Sequence, residues 1–221
     1  NSGWSYKEVL PFFKRSENHA QVDMMDKGYH GDSGELGVTL PTRFKTPFVS
    51  GFIAACAALG IPPTTDYNGA KQEGASVVHS TIENGKRASG ATAFLKPVLK
   101  RSNLTTITHA QVGKLILEGK KVVGVQYIKD KKTVRVNADK EVILSAGAFQ
   151  SPQLLMLSGI GDASELNIHG IECLHELKGV GKNLQDHLFF PICGQSKTQE
   201  GVNHNIPPLQ QLKAAWNYFV N

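Results

Sequence analysis

The chain has no apolar run long enough to cross a membrane. No span approaches the roughly 18 consecutive apolar residues that a membrane helix requires, although 40% of the 221 residues are hydrophobic. That proportion is typical of a soluble globular protein, built as one sizeable domain or as parts of two. The chain also begins without an initiator methionine or a signal peptide. We therefore expect it to be an internal piece of a longer protein.

Cysteine is scarce. Cys56, Cys173 and Cys193 show none of the short spacings of a metal site, and their odd number argues against a fully paired disulfide framework. Cys56 falls on the apolar face of a predicted helix, a position typical of the core. The sequence thus predicts no metal site and a buried Cys56.

Acidic residues are fewer than basic ones, 19 against 24, which gives a formal charge of +5. The excess falls largely on lysines where strands are expected to turn: Lys120, Lys121, Lys129, Lys131 and Lys132. A nucleic-acid surface would instead cluster its charge and interleave stacking aromatics. We interpret these lysines as solvent-exposed residues at turns and expect no nucleic-acid partner.

Two catalytic signatures are missing. No G-x-S-x-G elbow of a serine hydrolase occurs. A glycine-rich dinucleotide fingerprint is approached only by residues 159–164, which follow a predicted helix where the motif needs a strand, and which end in Ser164. We interpret this stretch as a turn between two helices and not as a phosphate site.

The most informative stretch present runs from Lys140 to Gly161. Val142–Leu144 predicts a short strand buried on both faces, and small residues then keep the following turn tight. Ser151 followed by Pro152 predicts a helix start, and Gly159 a left-handed helix exit. A strand, a tight turn and a capped helix are typical of a nucleotide-binding α/β layer.

Elsewhere, local signals predict helices and connecting loops. Ser5 and Glu8 form a capping box that should start a helix at Tyr6, and residues 18–46 predict an ordered surface loop. Thr46 and Pro47 begin an apolar helix that should pack on a neighbouring element and end at Gly60. Further helices are expected after Ser89, after Asp162 and from Leu209.

Strands are predicted by alternation and by turn residues. Residues 75–82 predict a strand followed by an Asn84-Gly85 hairpin turn. A β-meander should follow, with strands at residues 105–112, 115–117, 122–127 and 133–136 and turns at Gly119 and residues 129–132. Later strands are predicted at residues 171–177 and 188–192. Residues 195–208 form the best candidate linker.

Several of these stretches resemble the glucose-methanol-choline oxidoreductases, flavoenzymes that use FAD to oxidise alcohols and sugars. Gly147, Ala148, Ser151, Pro152, Ser158, Gly159 and Gly161 match the second signature of that family. Matching stretches occur in the same order over nearly the whole chain: GWSYKEVLPFFKRSENH, DYNG, NGKRASGATAFLKPVLKRSNL and GVGKNLQDH. One departure is Gly90, where a threonine is more usual. The resemblance is nearest to arthropod FAD glucose dehydrogenase-like members.

The resemblance implies where FAD is bound. Val112, in the stretch after Asn103-Leu104-Thr105, matches a valine that contacts the FAD adenine through its backbone, and an extended strand can offer both N–H and C=O to an adenine edge. Ala146 and Gly147 are weaker candidates for approach to the nucleotide. Without the resemblance, an ordinary strand valine is the preferred interpretation of Val112. The family's pyrophosphate fingerprint would lie upstream of Asn1.

No catalytic residue is assigned. Alcohol oxidation needs a base for the hydroxyl proton, and any of the eight histidines could be a surface or a satisfied core group. Asp186-His187 is better explained as orienting a loop. The family's catalytic histidine and its partner would come from a C-terminal segment absent from this sequence.

The resulting prediction is a mixed α/β fragment of an FAD-dependent oxidoreductase. It combines a partial Rossmann-like FAD-binding domain carrying a β-meander with part of an antiparallel substrate-domain sheet. Residues 1–100 would hold a loop and helix region with substrate-domain elements, residues 101–185 part of the FAD-binding domain, and residues 186–221 the start of the C-terminal substrate domain.

The parent protein would oxidise a CH–OH donor, a sugar or other alcohol, and pass electrons to a quinone or to oxygen. One alternative is a truncated or non-catalytic paralogue that acts as a binding or structural protein. Another is a lyase on the same fold. The Asn103 glycosylation sequon is compatible with a secreted, extracellular protein.

Overall fold

A computed structural model describes residues 2–41, 46–192, 194, 197 and 207–220, omitting the side chains of residues 214 and 217–220. The chain divides into two compact units. The first comprises residues 1–105 with 193–221, and the second residues 106–192. Most of the predicted linker at residues 195–208, together with Cys193, lies outside the described residues. The assignment of residues to FAD-binding and substrate domains stays a prediction.

The first unit is mainly helices and short strand pairs. Its elements are α1 (Tyr6–Ser16), β1 (Glu17–His19), β2 (Leu36–Val38), α2 (Pro47–Ala58), β3 (Ile82–Glu83) and β4 (Lys86–Arg87). The second unit contains β5 (Gln111–Glu118), β6 (Lys121–Lys129), β7 (Lys132–Asn137), α3 (Gly147–Leu157), β8 (Ile160–Gly161), α4 (Ala163–Ile168) and β9 (His175–Glu176). A last helix, α5, spans Pro208–Val220. No helix among the described residues combines the length and apolarity that crossing a membrane requires.

Helix α1 begins at Tyr6, as the capping box predicted. The Glu8 carboxylate accepts hydrogen bonds from the backbone N–H of Ser5 at 3.0 Å and from its hydroxyl at 2.6 Å. These bonds hold the pKa of Glu8 below its usual range.

The ordered surface loop predicted at residues 18–46 contains more regular and more buried structure than expected, and its residues 42–45 lie outside the described part of the chain. This segment contains β1 and β2, which pair in parallel, and it buries Met25, His19 and His30. The loop can come so close to the end of α1 because Gly31 has no side chain: a Cβ there would collide with the carbonyl oxygen of Lys14.

Helix α2 begins and ends where predicted, with Thr46 as its N-cap, Pro47 in its first turn and Gly60 at a φ of +85°. The expectation that it packs on a neighbour is not met within the described residues, since no side chain of α2 is buried. Cys56 is only half-buried, which corrects its assignment to the core. Helix α2 has apolar side chains around most of its circumference, so the spacing of its aromatic residues did not identify a single packing face.

The strand predicted at residues 75–82 is reduced to isolated bridges and the two residues of β3. The hairpin prediction is confirmed, because Asn84 and Gly85 have φ values of +48° and +72° between β3 and β4. The helix after Ser89 is wound as a π-helix at Ala91–Leu95 and a 3-10 turn at Lys96–Val98. Pro97, which lacks an N–H, interrupts regular α-helical bonding there.

The meander is confirmed as an antiparallel sheet in the order β5-β6-β7. Its turns fall at Gly119, with a φ of +59°, and at Asp130-Lys131, both left-handed. The first strand was misplaced: no strand occurs at residues 105–110, and β5 runs unbroken from Gln111 to Glu118. It stays continuous because a β-bulge absorbs the irregular alternation at Gly113.

Two predictions for the central stretch are wrong. Val142–Leu144 forms no strand, because none of the described strands pairs with it, and Ile143 is 77% exposed. Helix α3 begins at Gly147, whose φ of +90° turns the chain. Ser151 therefore lies inside the helix, with its hydroxyl accepting the N–H of Ala146 at 3.1 Å. The exit at Gly159, with a φ of +82°, is confirmed.

The remaining strand predictions were too long. Residues 171–177 supply only β9, which pairs in parallel with β8, and residues 188–192 form no strand. Neither stretch has a longer neighbouring strand among the described residues. Asp162 caps α4 as predicted, accepting the N–H of Ser164 at 2.9 Å.

Candidate functional site

The outer edge of β5 directs backbone groups away from β6. At this edge the Leu115 N–H donates to the Ser158 hydroxyl at 2.8 Å, and the Val112 C=O accepts a long bond from the Gln111 side-chain amide at 3.5 Å. The N–H of Ala138 donates to the C=O of Val123 at 2.9 Å, so Val123 points towards β7. The backbone N–H and C=O groups of successive residues point to opposite sides of a strand. Those of Val125 and Tyr127 therefore also point towards β7 and away from β5. Their partners on β5 therefore direct N–H and C=O away from β6, to the free edge.

Those partners are Leu115, opposite Val125, and Val112, opposite Tyr127. Residues three apart in a regular strand would point in opposite directions. The register shift between Val112 and Lys114 makes Gly113 an extra residue, which returns both to the same edge. The N–H and C=O of Val112 therefore point away from β6, to the outer edge of the sheet.

A cleft of about 280 Å³ lies beside this edge. Its lining, here called the β5-edge cleft, comprises Val112, Leu115, Val125, residues 142–146 and Leu154. Val112 and Ala146, predicted from separate stretches, therefore line one cavity. Gly147 follows directly at the start of α3, and its φ of +90° explains the glycine without a ligand. Among these lining residues none is charged, and Ser145 is the only one with a polar side chain.

A second cavity, of about 420 Å³, lies between α3 and residues 179–184. It adjoins the GVGKNLQDH stretch, in which the Asp186 carboxylate accepts the backbone N–H of His187 at 2.7 Å. That bond is local and agrees with a loop-orienting role. Lys182, on the cavity wall, forms an exposed ion pair with Glu165.

The first unit contains a histidine cluster, made of the buried His19 and His30 and the half-buried His79, Glu17 and Asp66. His30 is 5% exposed and lies between two carboxylates. Its Nδ1 lies 3.0 Å from Glu17 Oε2, and its Nε2 lies 3.0 Å from Asp66 Oδ1. Because a carboxylate only accepts hydrogen bonds, His30 donates to both carboxylates when both ring nitrogens carry protons, that is, as an imidazolium.

The pKa values follow from this arrangement. Burial is the largest influence on His30 and disfavours its charge, but the bonds to Asp66 and Glu17 together outweigh burial and raise its pKa above 6.5. The pKa of Asp66 is shifted in the opposite direction. Burial opposes its charge most, but bonds from Asp26, His30 and Asn68 lower its pKa.

His19 is held neutral in the same cluster. Its Nδ1 accepts the backbone N–H of Gln21 at 3.1 Å, so the ring proton is on Nε2, which donates to His79 Nδ1 at 3.2 Å. The Nε2–H of His79 donates in turn to the carbonyl oxygen of Thr65 at 2.9 Å. Burial, followed by His79, lowers the pKa of His19.

This cluster is a structural clasp that sequence reasoning missed. It ties β1, the loop at His30 and the DYNG turn together through residues far apart in the chain. In the part of the chain that the structure describes, no buried side-chain nitrogen or oxygen lacks a partner. No group there could hold a metal ion either. The local sequence contains one signal of this cluster, Gly69 in DYNG. A Cβ at this position would lie 2.6 Å from Asp66 Oδ2, so the turn that holds the Asp66 carboxylate requires glycine.

Comparison with known proteins agrees with the resemblance in sequence. The sequence model of the family described as GMC oxidoreductase matches residues 1–189. The chain belongs to the GMC oxidoreductase family.

Two curated relatives of the GMC chain are choline dehydrogenases. The oxygen-dependent enzyme of Brucella anthropi is 44% identical over 220 residues, covering 98% of this chain and 39% of that protein. The mitochondrial enzyme of Homo sapiens is 45% identical over 188 residues, covering 84% of this chain and 31% of that protein. The chain therefore spans well under half the length of these relatives.

Solved structures show the same fold. Pyridoxine 4-oxidase from Mesorbium loti superposes with a TM-score of 0.74 at 35% identity, covering 85% of this chain and 36% of that one. An FAD-dependent oxidoreductase from Chaetomium thermophilum gives a TM-score of 0.77 at 32% identity, covering 84% and 34%.

Proposed function

We propose that the β5 edge binds the adenine of FAD through the backbone N–H and C=O of Val112. The observation that carries the proposal is the bulge at Gly113, which leaves these two groups directed to the free edge of the sheet. Adenine offers a ring-nitrogen acceptor beside an amino donor. One backbone N–H and one C=O complement that pair.

The chemistry of the β5-edge cleft fits a neutral ring better than a phosphate. Its walls are apolar, and Ala146 leaves space opposite the strand. Phosphate sites instead use helix N-termini, successive N–H groups or basic side chains. We therefore place only the adenine end of FAD in this cleft, with Val112 in contact and Ala146 and Gly147 beside it.

For the whole protein we propose an FAD-dependent oxidoreductase that acts on CH–OH donors. FAD, when bound, accepts the hydride from the substrate carbon. The contribution of this chain is to hold and orient one end of the cofactor. No histidine lines either cavity described above, so we assign no catalytic base in this chain.

The substrate class is a small alcohol. The two relatives described above, whose alignments cover 84% or more of this chain, are choline dehydrogenases, and a structural relative is a pyridoxine oxidase. Two finer proposals are a sugar substrate and a place among the arthropod glucose dehydrogenase-like members. The electron acceptor is a quinone or oxygen, and the name of the Brucella relative favours oxygen. The domain division at residues 100 and 185 and secretion are further proposals.

The test uses the native gene product that contains these residues. It is purified, its flavin is identified, and it is mixed without oxygen with choline, pyridoxine or glucose while flavin absorbance is followed. We expect bound FAD that one of these alcohols bleaches and that oxygen or a quinone restores. FAD that no alcohol bleaches would favour the lyase alternative. A product without flavin, even after FAD is added, would favour the non-catalytic one.

A further inference from the structure

Ser158 is the most deeply buried polar residue described in the second unit, with 0% of its surface exposed. Its hydroxyl accepts the backbone N–H of Leu115 at 2.8 Å and donates to the C=O of Leu154 at 2.6 Å. The first bond joins the end of α3 to β5. The second fixes the hydroxyl to the helix itself.

The Leu115 N–H needs this acceptor. It points to the free edge of β5, where no described strand accepts it, and Leu115 is only 4% exposed. A buried N–H without a partner is costly, so loss of the hydroxyl would favour movement of the edge away from α3. Leu115, Leu154 and Val112 all line the β5-edge cleft.

We propose that Ser158 is a positioning residue for nucleotide recognition. The Gly113 bulge turns the N–H and C=O of Val112 outwards, and Ser158, by anchoring the edge of β5 three residues away at Leu115, holds these two groups in position and sets the width of the cleft opposite Ala146. This inference rests on the proposed adenine contact. Ser158 itself touches no nucleotide.

The test is base selectivity in the flavin-stripped native gene product, with ADP and IDP titrated by calorimetry. Hypoxanthine reverses the donor and acceptor of adenine, so the two backbone groups of Val112 discriminate between these ligands. We expect ADP to bind about tenfold more tightly than IDP, in line with the cost of two mismatched groups. In Ser158→Ala we expect that ratio to fall to about twofold or less through weaker ADP binding.

The controls separate positioning from stability. Ser164→Ala removes an exposed hydroxyl in the same unit and should keep the full ratio. Ser158→Thr keeps a hydroxyl and should also keep the ratio even if its methyl group lowers thermal stability, so the test does not depend on folding of the alanine variant.

Each outcome has a distinct meaning. No preference for ADP in the unmodified protein overturns both the adenine contact and the role of Ser158. A preference that Ser158→Ala leaves intact, or that Ser158→Thr abolishes, overturns the positioning role alone. A ratio lost only in the alanine variant supports both.

Discussion

Replacing His30 with leucine should destabilise the first unit strongly. The imidazolium is the counter-charge between Glu17 and Asp66, whose side chains are only 19% and 14% exposed. Solvent therefore screens these pairs little, unlike surface ion pairs. Leucine fills much of the space but leaves two carboxylates facing each other across an apolar side chain.

The expected loss can be estimated from the bonds. Each hydrogen bond to a charged group contributes about 1.5–3 kcal/mol, so two bonds give about 3–6 kcal/mol. Both carboxylates keep backbone donors: Glu17 keeps the Gly31 N–H at 3.0 Å, and Asp66 keeps the Asp26 N–H at 3.0 Å and the backbone bond from Asn68. We therefore expect the lower end, about 3 kcal/mol, close to the cost of breaking a buried pair.

The assay is urea or thermal unfolding of the 221-residue chain, followed by circular dichroism. For a chain of this size, about 3 kcal/mol corresponds to a fall in Tm of about 6–12 °C. His109→Asn is the matched control, because His109 is exposed and its φ of +55° suits asparagine. A loss in His30→Leu below about 1 kcal/mol would refute the clasp.

The pKa of His30 gives the same variant a pH signature. Because its folded pKa is raised, its contribution is complete below its ordinary value of 6.5 and is lost as pH rises through the folded pKa. His19 has a lowered pKa, so its contribution is present above 6.5 and is lost as pH falls. Unmodified protein should thus lose stability above pH 6.5, and His30→Leu should lack that decline. An identical alkaline decline in both proteins would contradict the assignment.

Two further substitutions test the packing. Gly31→Ala should lower stability by about 2 kcal/mol in urea titration because its Cβ meets the Lys14 carbonyl, whereas Gly51→Ala on α2 has open space and should be neutral or stabilising. A harmless Gly31→Ala would contradict the close approach. Leu115→Ala should cost about 2–4 kcal/mol. Ile128→Ala, at a half-exposed position of the central strand β6, should cost less than about 1 kcal/mol. Equal losses would argue against a core at the β5 edge.

Local signals predicted the elements whose causes are local. The Ser5–Glu8 capping box, the Asn84-Gly85 hairpin and the Asp162 cap each satisfy backbone groups within a few residues, so the sequence carries the whole cause. The meander followed from turn residues in the same way.

The failures have non-local causes. Val142–Leu144 has the composition of a strand, but a strand needs a neighbour, and none of the described strands pairs with it. His30 and Asp66 are 36 residues apart, so no spacing rule links them. Val112 was found only through family resemblance, since the direction of its backbone depends on a bulge that composition does not reveal.

The most direct test of the account is a crystal structure of the native gene product with FAD bound. The account predicts the adenine in the β5-edge cleft, with its ring nitrogen and amino group about 3 Å from the backbone N and O of Val112. An adenine bound elsewhere, with Val112 N and O facing solvent or protein, would contradict it.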